Sequence, residues 1–177
     1  MRFAGLVYRA HNPRWSFDPT SGHGAARYGG RFNRVGVPAL YTSCRMETAW
    51  LEAQQGFPFK AQPLTICAYD VDCVDIVNLS DAASCQAQGV DPVDLACPWE
   101  DIAFRGGEPP SWRVTRALAA EGHAGLIVPS FAPGAGPLDR NIVFWNWSDA
   151  PPQRVLVIDD ENRLPRDDRS WNPPEPL

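Results

Sequence analysis

The chain has 177 residues, of which 44% are hydrophobic and 21% are charged, and its formal net charge is −5. A chain of this length most simply forms one domain, which buries roughly 70% of its unfolded surface. The acidic balance argues against non-specific binding to nucleic acid or to an anionic membrane, because both need an excess of Lys and Arg. No apolar run approaches the roughly 20 residues that span a membrane.

The cysteines and histidines predict neither a metal site nor a disulfide framework. The five cysteines contain no CxxC pair and have no histidine nearby in the sequence, so zinc binding is not indicated. An odd number of cysteines without a signal peptide predicts reduced thiols in a cytoplasm. We therefore expect a cytoplasmic protein that uses no metal.

The first part of the chain carries two arginines that suit an anionic ligand. Residues 6–10 predict a short strand that bears Arg9, and residues 11–27 predict a long loop that either closes over a ligand or is a packed connection. Gly29 and Gly30 then allow a close backbone approach or a positive φ, so that Arg31 can be aimed. A guanidinium binds two phosphate or carboxylate oxygens at once. A surface arginine after a turn is the simpler alternative.

A strand and a helix follow the glycine pair. Residues 37–42 predict a strand with Tyr41 near its end, where the ring can stack on a flat heterocycle or pack on the core. Residues 44–55 show the spacing of an amphipathic helix. Glu52 lies at the border of its apolar face, so it is either solvated or directed into a cleft.

The rest of the chain predicts a mixture of strands and helices. Strands are expected at residues 63–69, 71–79, 125–128, 140–145 and 154–159, and helices at residues 81–88 and 112–121. Residues 90–110 contain several prolines and predict an irregular region. Ser130 follows a buried strand but has no histidine base and no GxSxG elbow, so a ligand-contacting hydroxyl fits better than a nucleophile. Residues 160–177 predict a charged, proline-rich surface tail.

Several segments together resemble the RES-domain family, which is named for an arginine, a glutamate and a serine that match Arg31, Glu52 and Ser130. The matching segments, over about residues 8–144, are Tyr8-Arg9-Ala10, Gly24-Ala25, Gly29-Gly30-Arg31-Phe32-Asn33, Gly36, Leu40-Tyr41-Thr42-Ser43, Glu52, Gly125-Leu126-Ile127-Val128-Pro129-Ser130 and Arg140-Asn141. The resemblance implies the toxin of a bacterial toxin–antitoxin pair with an activity directed at NAD.

The resemblance and the predicted elements imply an α+β fold in one domain, with central mixed or antiparallel sheets and a few flanking helices, as in ADP-ribosyltransferases. The catalytic domain is expected over residues 1–159. The expected catalytic residues are Arg31, Tyr41, Glu52 and Ser130. The expected NAD contacts are Arg9, Tyr28, Arg31, Asn33, Tyr41 and Ser130.

The parts of NAD match these side chains. Arg31, with Arg9, supplies a clamp for the pyrophosphate, and Tyr41, with Tyr28, supplies an aromatic wall for the nicotinamide. Glu52 supplies negative charge beside the ribose carbon, which becomes oxocarbenium-like when the glycosidic bond breaks, or it holds the ribose hydroxyl and orients the acceptor.

Several alternatives remain open at this point. NAD cleavage that depletes the cell of NAD is favoured, with water or phosphate as the acceptor; the alternative acceptor is a side chain of a host protein, which is mono-ADP-ribosylation. The rival of another class is a non-enzymatic nucleotide-binding module. The expected protein partner is a helix-turn-helix antitoxin.

Overall fold

A seven-stranded mixed sheet forms the centre of the computed structural model, which describes residues 1–54, 63–169 and 171. The strands are β1 (Phe3–His11), β2 (Leu40–Ser43), β3 (Thr65–Cys73), β4 (Ile76–Asn78), β5 (Gly125–Pro129), β6 (Arg140–Phe144) and β7 (Gln153–Val157). Across the sheet they follow the order β4-β5-β6-β2-β1-β3-β7. The pair β4–β5 is parallel and the other pairs are antiparallel.

Short helices connect the strands. They are a 3-10 helix (Pro13–Trp15), α1 (His23–Tyr28), α2 (Met46–Gln54), α3 (Ala82–Ala87), α4 (Pro92–Leu95), α5 (Trp99–Phe104) and α6 (Pro110–Ala120). This combination of one mixed sheet with flanking helices confirms the predicted single-domain α+β class.

Apolar side chains cover both faces of the sheet, because alternate residues of a strand point to opposite faces. One face packs Val7, Leu40, Tyr69, Ile142 and Phe144 into a core cluster. The other face packs strand residues such as Leu126, Val128 and Val143 against residues of the helices, including Cys85, Leu95 and Leu118. Burial on both sides fixes the register of the central strands.

The register between β1 and β2 decides which side chains can meet. Tyr8 pairs with Ser43, and paired residues of neighbouring strands share a face. Tyr41, two residues before Ser43, points to that same face, whereas Arg9 points to the opposite one. Asn141 pairs with Ser43 from the other neighbour, β6. The face of Tyr41, Ser43 and Asn141 carries the site described below.

Several predicted segments differ from the structure. Residues 37–39 precede β2 instead of belonging to it. The predicted strand over residues 71–79 is the end of β3 and the separate strand β4, because Asp75 adopts a left-handed turn with φ 60. The predicted irregular region contains α4 and α5; Asp91 caps α4 through a side-chain bond to the N–H of Val93, and Pro92 occupies the first turn, where the missing N–H costs nothing.

The predicted loop over residues 11–27 also contains regular secondary structure. It contains the 3-10 helix and the beginning of α1, and each element is too short to show a periodic pattern. At the other end, Leu164 packs against the core cluster of β1 and β3, so the predicted tail begins by folding back onto the sheet. Gln55, the predicted end of α2, and residues 170 and 172–177 of the predicted tail lie outside the described residues.

Candidate functional site

The carboxylate of Glu52, on α2, is held by two side chains from other parts of the chain. The Ser130 hydroxyl donates to Oε1 at 2.6 Å, and the Asn141 amide on β6 donates to the same oxygen at 2.5 Å. The backbone N–H of Ala132 donates to Ser130 Oγ at 3.2 Å, which leaves the hydroxyl proton for Glu52. Among the described residues no hydrogen bond reaches the other oxygen, Oε2.

A buried carboxylate fixes α2 relative to β6. Thr48, near the start of α2, donates to Asp139 Oδ1 at 2.5 Å, and the Gly136 N–H donates to Oδ2 at 2.8 Å. These bonds hold the pKa of Asp139 below its usual value. Because Asp139 directly precedes β6, the helix that carries Glu52 is tied to the strand that carries Asn141.

The side chain of Arg31 is half-buried and is held by backbone carbonyls. Its Nη1 donates to the carbonyl oxygens of Cys97 at 2.6 Å and of Leu95 at 3.2 Å. Its guanidinium carbon lies 4.6 Å from the centre of the Phe131 ring, a favourable cation–π distance. Burial lowers the pKa of Arg31, and the nearby Glu52 carboxylate opposes that shift. The guanidinium nevertheless remains charged, as arginine does throughout proteins.

Two side chains at the beginning of α6 bind the backbone carbonyls of Gly30 and Arg31. The Ser111 hydroxyl donates to the carbonyl of Arg31 at 2.6 Å. The Trp112 indole N–H donates to the carbonyl of Gly30 at 2.8 Å. Arg31 is therefore positioned through its main chain as well as through its side chain.

Tyr41 and Asn33 close the turn that contains Arg31. The Tyr41 hydroxyl accepts from the Phe32 N–H at 3.0 Å and donates to Asn33 Oδ1 at 2.7 Å. Burial raises the pKa of Tyr41, so the phenol stays neutral. The Asn33 amide nitrogen donates to the carbonyls of Ala25, Arg34 and Val37. The polar atoms of Tyr41 and Asn33 thus bond within the turn, and their contact with NAD stays a prediction.

The two glycines serve this same turn. A Cβ atom at Gly30 would lie 2.5 Å from the Tyr41 hydroxyl and 2.8 Å from Asn33 Oδ1. Gly29 has φ 75, which side chains disfavour. The close approach is therefore between Gly30 and Tyr41.

The loop after β5 links the arginine to the glutamate. Ser130 bonds Glu52, and the next residue, Phe131, lies beneath the Arg31 guanidinium. A cavity of about 610 Å³ opens beside Arg31; its other lining residues are Pro98, Trp99, Glu100, Asp101 and Phe104. The structure therefore brings Arg31, Glu52 and Ser130 to one region, with Tyr41 beneath the turn.

Comparison with protein-family models matches residues 6–167 to the RES domain. The chain belongs to the RES-domain family. The resemblance drawn from the sequence is thereby confirmed. Among solved structures, a chain of the crystal structure of the M. tuberculosis MbcT–MbcA toxin–antitoxin complex is similar in fold, with a TM-score of 0.55 and 18% identity over 90% of this chain and 84% of that chain. Comparison with curated proteins gave no match.

Arg9 and Tyr28 lie elsewhere in this RES domain. Arg9 Nη1 donates to the carbonyls of Pro19 and Ser21, both at 2.9 Å, and so fastens the loop after β1. Tyr28 is 71% exposed at the end of α1. The two residues line another cavity, of about 480 Å³, together with Trp15 and others. Arg9 is thus not brought to Arg31, because it points to the opposite face of the sheet, and the predicted NAD contacts of Arg9 and Tyr28 stay predictions.

The sequence prediction missed three residues that hold the RES-domain site. Asn141 and Ser43 extend the hydrogen-bond network of Glu52, and Phe131 supports Arg31. Asn141 and Ser43 lie within the matched segments, but no pattern indicates that Asn141 bonds Glu52 or that Ser43 bonds Asn141. The one feature of the sequence that could have identified Phe131 is its position directly after Ser130.

The described residues offer few other kinds of site. Within the described ranges, no three His, Cys, Asp or Glu side chains are grouped to hold a metal ion. Nor does this part of the chain contain a helix with the length and apolar character needed to cross a membrane.

Proposed function

We propose that this RES domain is the toxin of a toxin–antitoxin pair and that it cleaves the nicotinamide–ribose bond of NAD. Membership of the RES family and a fold similar to a chain of the MbcT–MbcA toxin–antitoxin complex support the toxin assignment. The partner would be a cognate antitoxin of the helix-turn-helix class. Loss of NAD would arrest growth.

The observation that carries the NAD proposal is the pair of opposite charges at the site, each held by neutral groups. Arg31 is bonded to carbonyl oxygens and Glu52 to a hydroxyl and an amide. Neither forms an ion pair among the described residues. The groups that fix their geometry therefore leave both charges available to a ligand. NAD carries a negative pyrophosphate and a positive nicotinamide, which suit this arrangement.

The proposed step needs no general acid. As the C1′–N bond breaks, its electron pair leaves with nicotinamide, which departs as a neutral molecule. The ribose carbon becomes oxocarbenium-like, and the carboxylate of Glu52 stabilises that positive charge or holds a ribose hydroxyl. Arg31 would bind the pyrophosphate with its remaining N–H groups. Ser130 and Asn141 hold the carboxylate in place.

The test is incubation of the purified protein with NAD, followed by mass analysis of the products. Glu52→Gln keeps the shape and removes the charge, so we expect nicotinamide release to fall about 100- to 1,000-fold. Arg31→Ala should mainly raise KM, because it removes a ground-state contact. The matched controls are Glu47→Gln on the same helix and Arg34→Ala three residues after Arg31, which should act like the parent.

The products also separate the alternatives. ADP-ribose indicates hydrolysis, a phosphorylated ADP-ribose indicates phosphorolysis, and ADP-ribosylated protein in a cell extract indicates transfer to a host target. A melting temperature that rises with NAD while no nicotinamide is released would instead identify a binding module. Parent-like turnover by Glu52→Gln would overturn the site.

A further inference from the structure

A chain of hydrogen bonds leads from β2 through β6 to Glu52. The Ser43 hydroxyl donates to Asn141 Oδ1 at 2.7 Å, and the Asn141 amide nitrogen donates to Glu52 Oε1 at 2.5 Å. Ser43 is only 3% exposed, so water does not compete for this contact. Ser130 donates to the same carboxylate oxygen, and the two donors together hold that oxygen in place.

The chemistry of the groups fixes the direction of the chain. An ionised carboxylate only accepts hydrogen bonds, so Asn141 must present its NH₂ to Glu52 and its oxygen to Ser43. A flipped amide would place its oxygen against the carboxylate. The flip would also place the amide NH₂ against Ser43, and the buried Ser43 hydroxyl would then lose Oδ1 as the acceptor for its proton.

We propose that Asn141 is a positioning residue that turns Oε2 of Glu52 toward the substrate, and that Ser43 acts only by fixing the amide of Asn141. The inference rests on the proposed NAD cleavage for its role in the reaction. Its structural part concerns the hydrogen bonds alone and is tested without NAD. Neither Asn141 nor Ser43 needs to touch NAD.

The first experiment compares variants in nicotinamide release. Asn141→Leu keeps the approximate shape and removes the donor, so kcat should fall about 10- to 100-fold, as loss of a hydrogen bond to a charged group implies. KM should change little. Ser43→Ala should lower kcat about 3- to 10-fold by freeing the amide, and should have no further effect in the Asn141→Leu background.

Asn141→Asp supplies a signature that a merely structural role would not produce. Two carboxylates in contact hold one proton between them, and a protonated Asp at position 141 donates to Glu52 as the amide does. The kcat of this variant should therefore recover as the pH is lowered from about 8 toward about 5, whereas the parent should show no such rise. Thr42→Val is the control, because Thr42 donates to the Ile142 carbonyl at 2.9 Å within the same strand pair and does not contact Glu52.

The second experiment measures the side-chain NH₂ protons of Asn141 by NMR in the protein without NAD, with Asn141→Leu providing the assignment. One proton should lie downfield and exchange slowly with water. Ser43→Ala should speed the exchange, Glu52→Gln should move the proton upfield, and Thr42→Val should do neither.

The outcomes separate the inference from the proposed function. A parent that releases no nicotinamide refutes NAD cleavage, and the NMR result still decides whether Asn141 holds Glu52. An active parent with a parent-like kcat in Asn141→Leu, or equal effects of Ser43→Ala in both backgrounds, refutes the inference and leaves NAD cleavage standing. The inference is also refuted if the Asn141 amide protons exchange fast with water and their chemical shifts do not change in Glu52→Gln.

Discussion

The contact between Gly30 and Tyr41 makes Gly30→Ala a sharp test of how Arg31 is positioned. The added Cβ would lie 2.5 Å from the Tyr41 hydroxyl, which is shorter than real Cβ contacts, and 3.0 Å from the ring carbon that bears it. The Tyr41 ring or the turn must therefore move. Either movement breaks the bonds of the Tyr41 hydroxyl to the Phe32 N–H and to Asn33 Oδ1. Leaving such buried groups unpaired costs about 1–3 kcal/mol, so we expect the free energy of unfolding to fall by about that amount.

The assay is urea unfolding of four proteins: the parent, Gly30→Ala, Tyr41→Phe and the double variant. Tyr41→Phe removes the hydroxyl that the new methyl group would strike, so the double variant should be less destabilised than the sum of the single variants. Gly24→Ala is the control, because no atom lies within 4 Å of its added Cβ and alanine favours the helix by about 0.5–1 kcal/mol. Additive effects, or a Gly30→Ala protein as stable as the parent, would show that the Gly30–Tyr41 contact does not hold the turn.

Two further predictions concern the rest of the scaffold. Burial lowers the pKa of His11 to about 4, whereas it is about 6.5 in an unfolded chain. Between these pH values the unfolded state therefore binds the proton more readily than the folded state. The contribution of His11 to the free energy of unfolding is complete above about pH 6.5 and should fall by up to about 3 kcal/mol as the pH drops toward about 4. Urea unfolding across this range should show a steeper dependence in the parent than in His11→Gln, and an equal slope in both would contradict it. Trp112→Phe removes the N–H that holds the Gly30 carbonyl, so KM for NAD should rise about 3- to 10-fold. Trp171→Phe at an exposed position is its control, and an unchanged KM in Trp112→Phe would exclude this role.

The fold was predictable where patterns extended over several residues. The buried runs that became β5 and β6 and the apolar stripe of α6 were readable because hydrophobic periodicity reflects which face is buried. The short elements were not: α1 has six residues and no side-chain cap, α4 depends on its cap by Asp91, and the break between β3 and β4 depends on the left-handed backbone of Asp75. The order of strands, which places β2 between β1 and β6, rests on pairings between distant segments that no local pattern records.

The roles within the candidate site were less predictable than its members. The sequence indicated Arg31, Tyr41, Glu52 and Ser130, and the structure brings them to one region. The sequence did not indicate that the Tyr41 hydroxyl would form its hydrogen bonds within the turn, or that the Arg9 side chain would hold the loop after β1. A hydroxyl or guanidinium looks equally suited to a ligand and to a buried carbonyl until its partners are known.

The partners of Arg31 differ from those of the arginines that form ion pairs in this chain. Arg2 and Arg154 form ion pairs with Asp72 and Asp70, so their charges are compensated within the protein and each pair contributes little. Arg31 instead donates to two backbone carbonyls that lie 64 and 66 residues later in the chain. These bonds restrict the conformation of the side chain but do not neutralise its charge. Holding a half-buried cation in this way is unfavourable for folding alone. That cost is accounted for if an anionic ligand completes the site, which no count of arginines could have indicated.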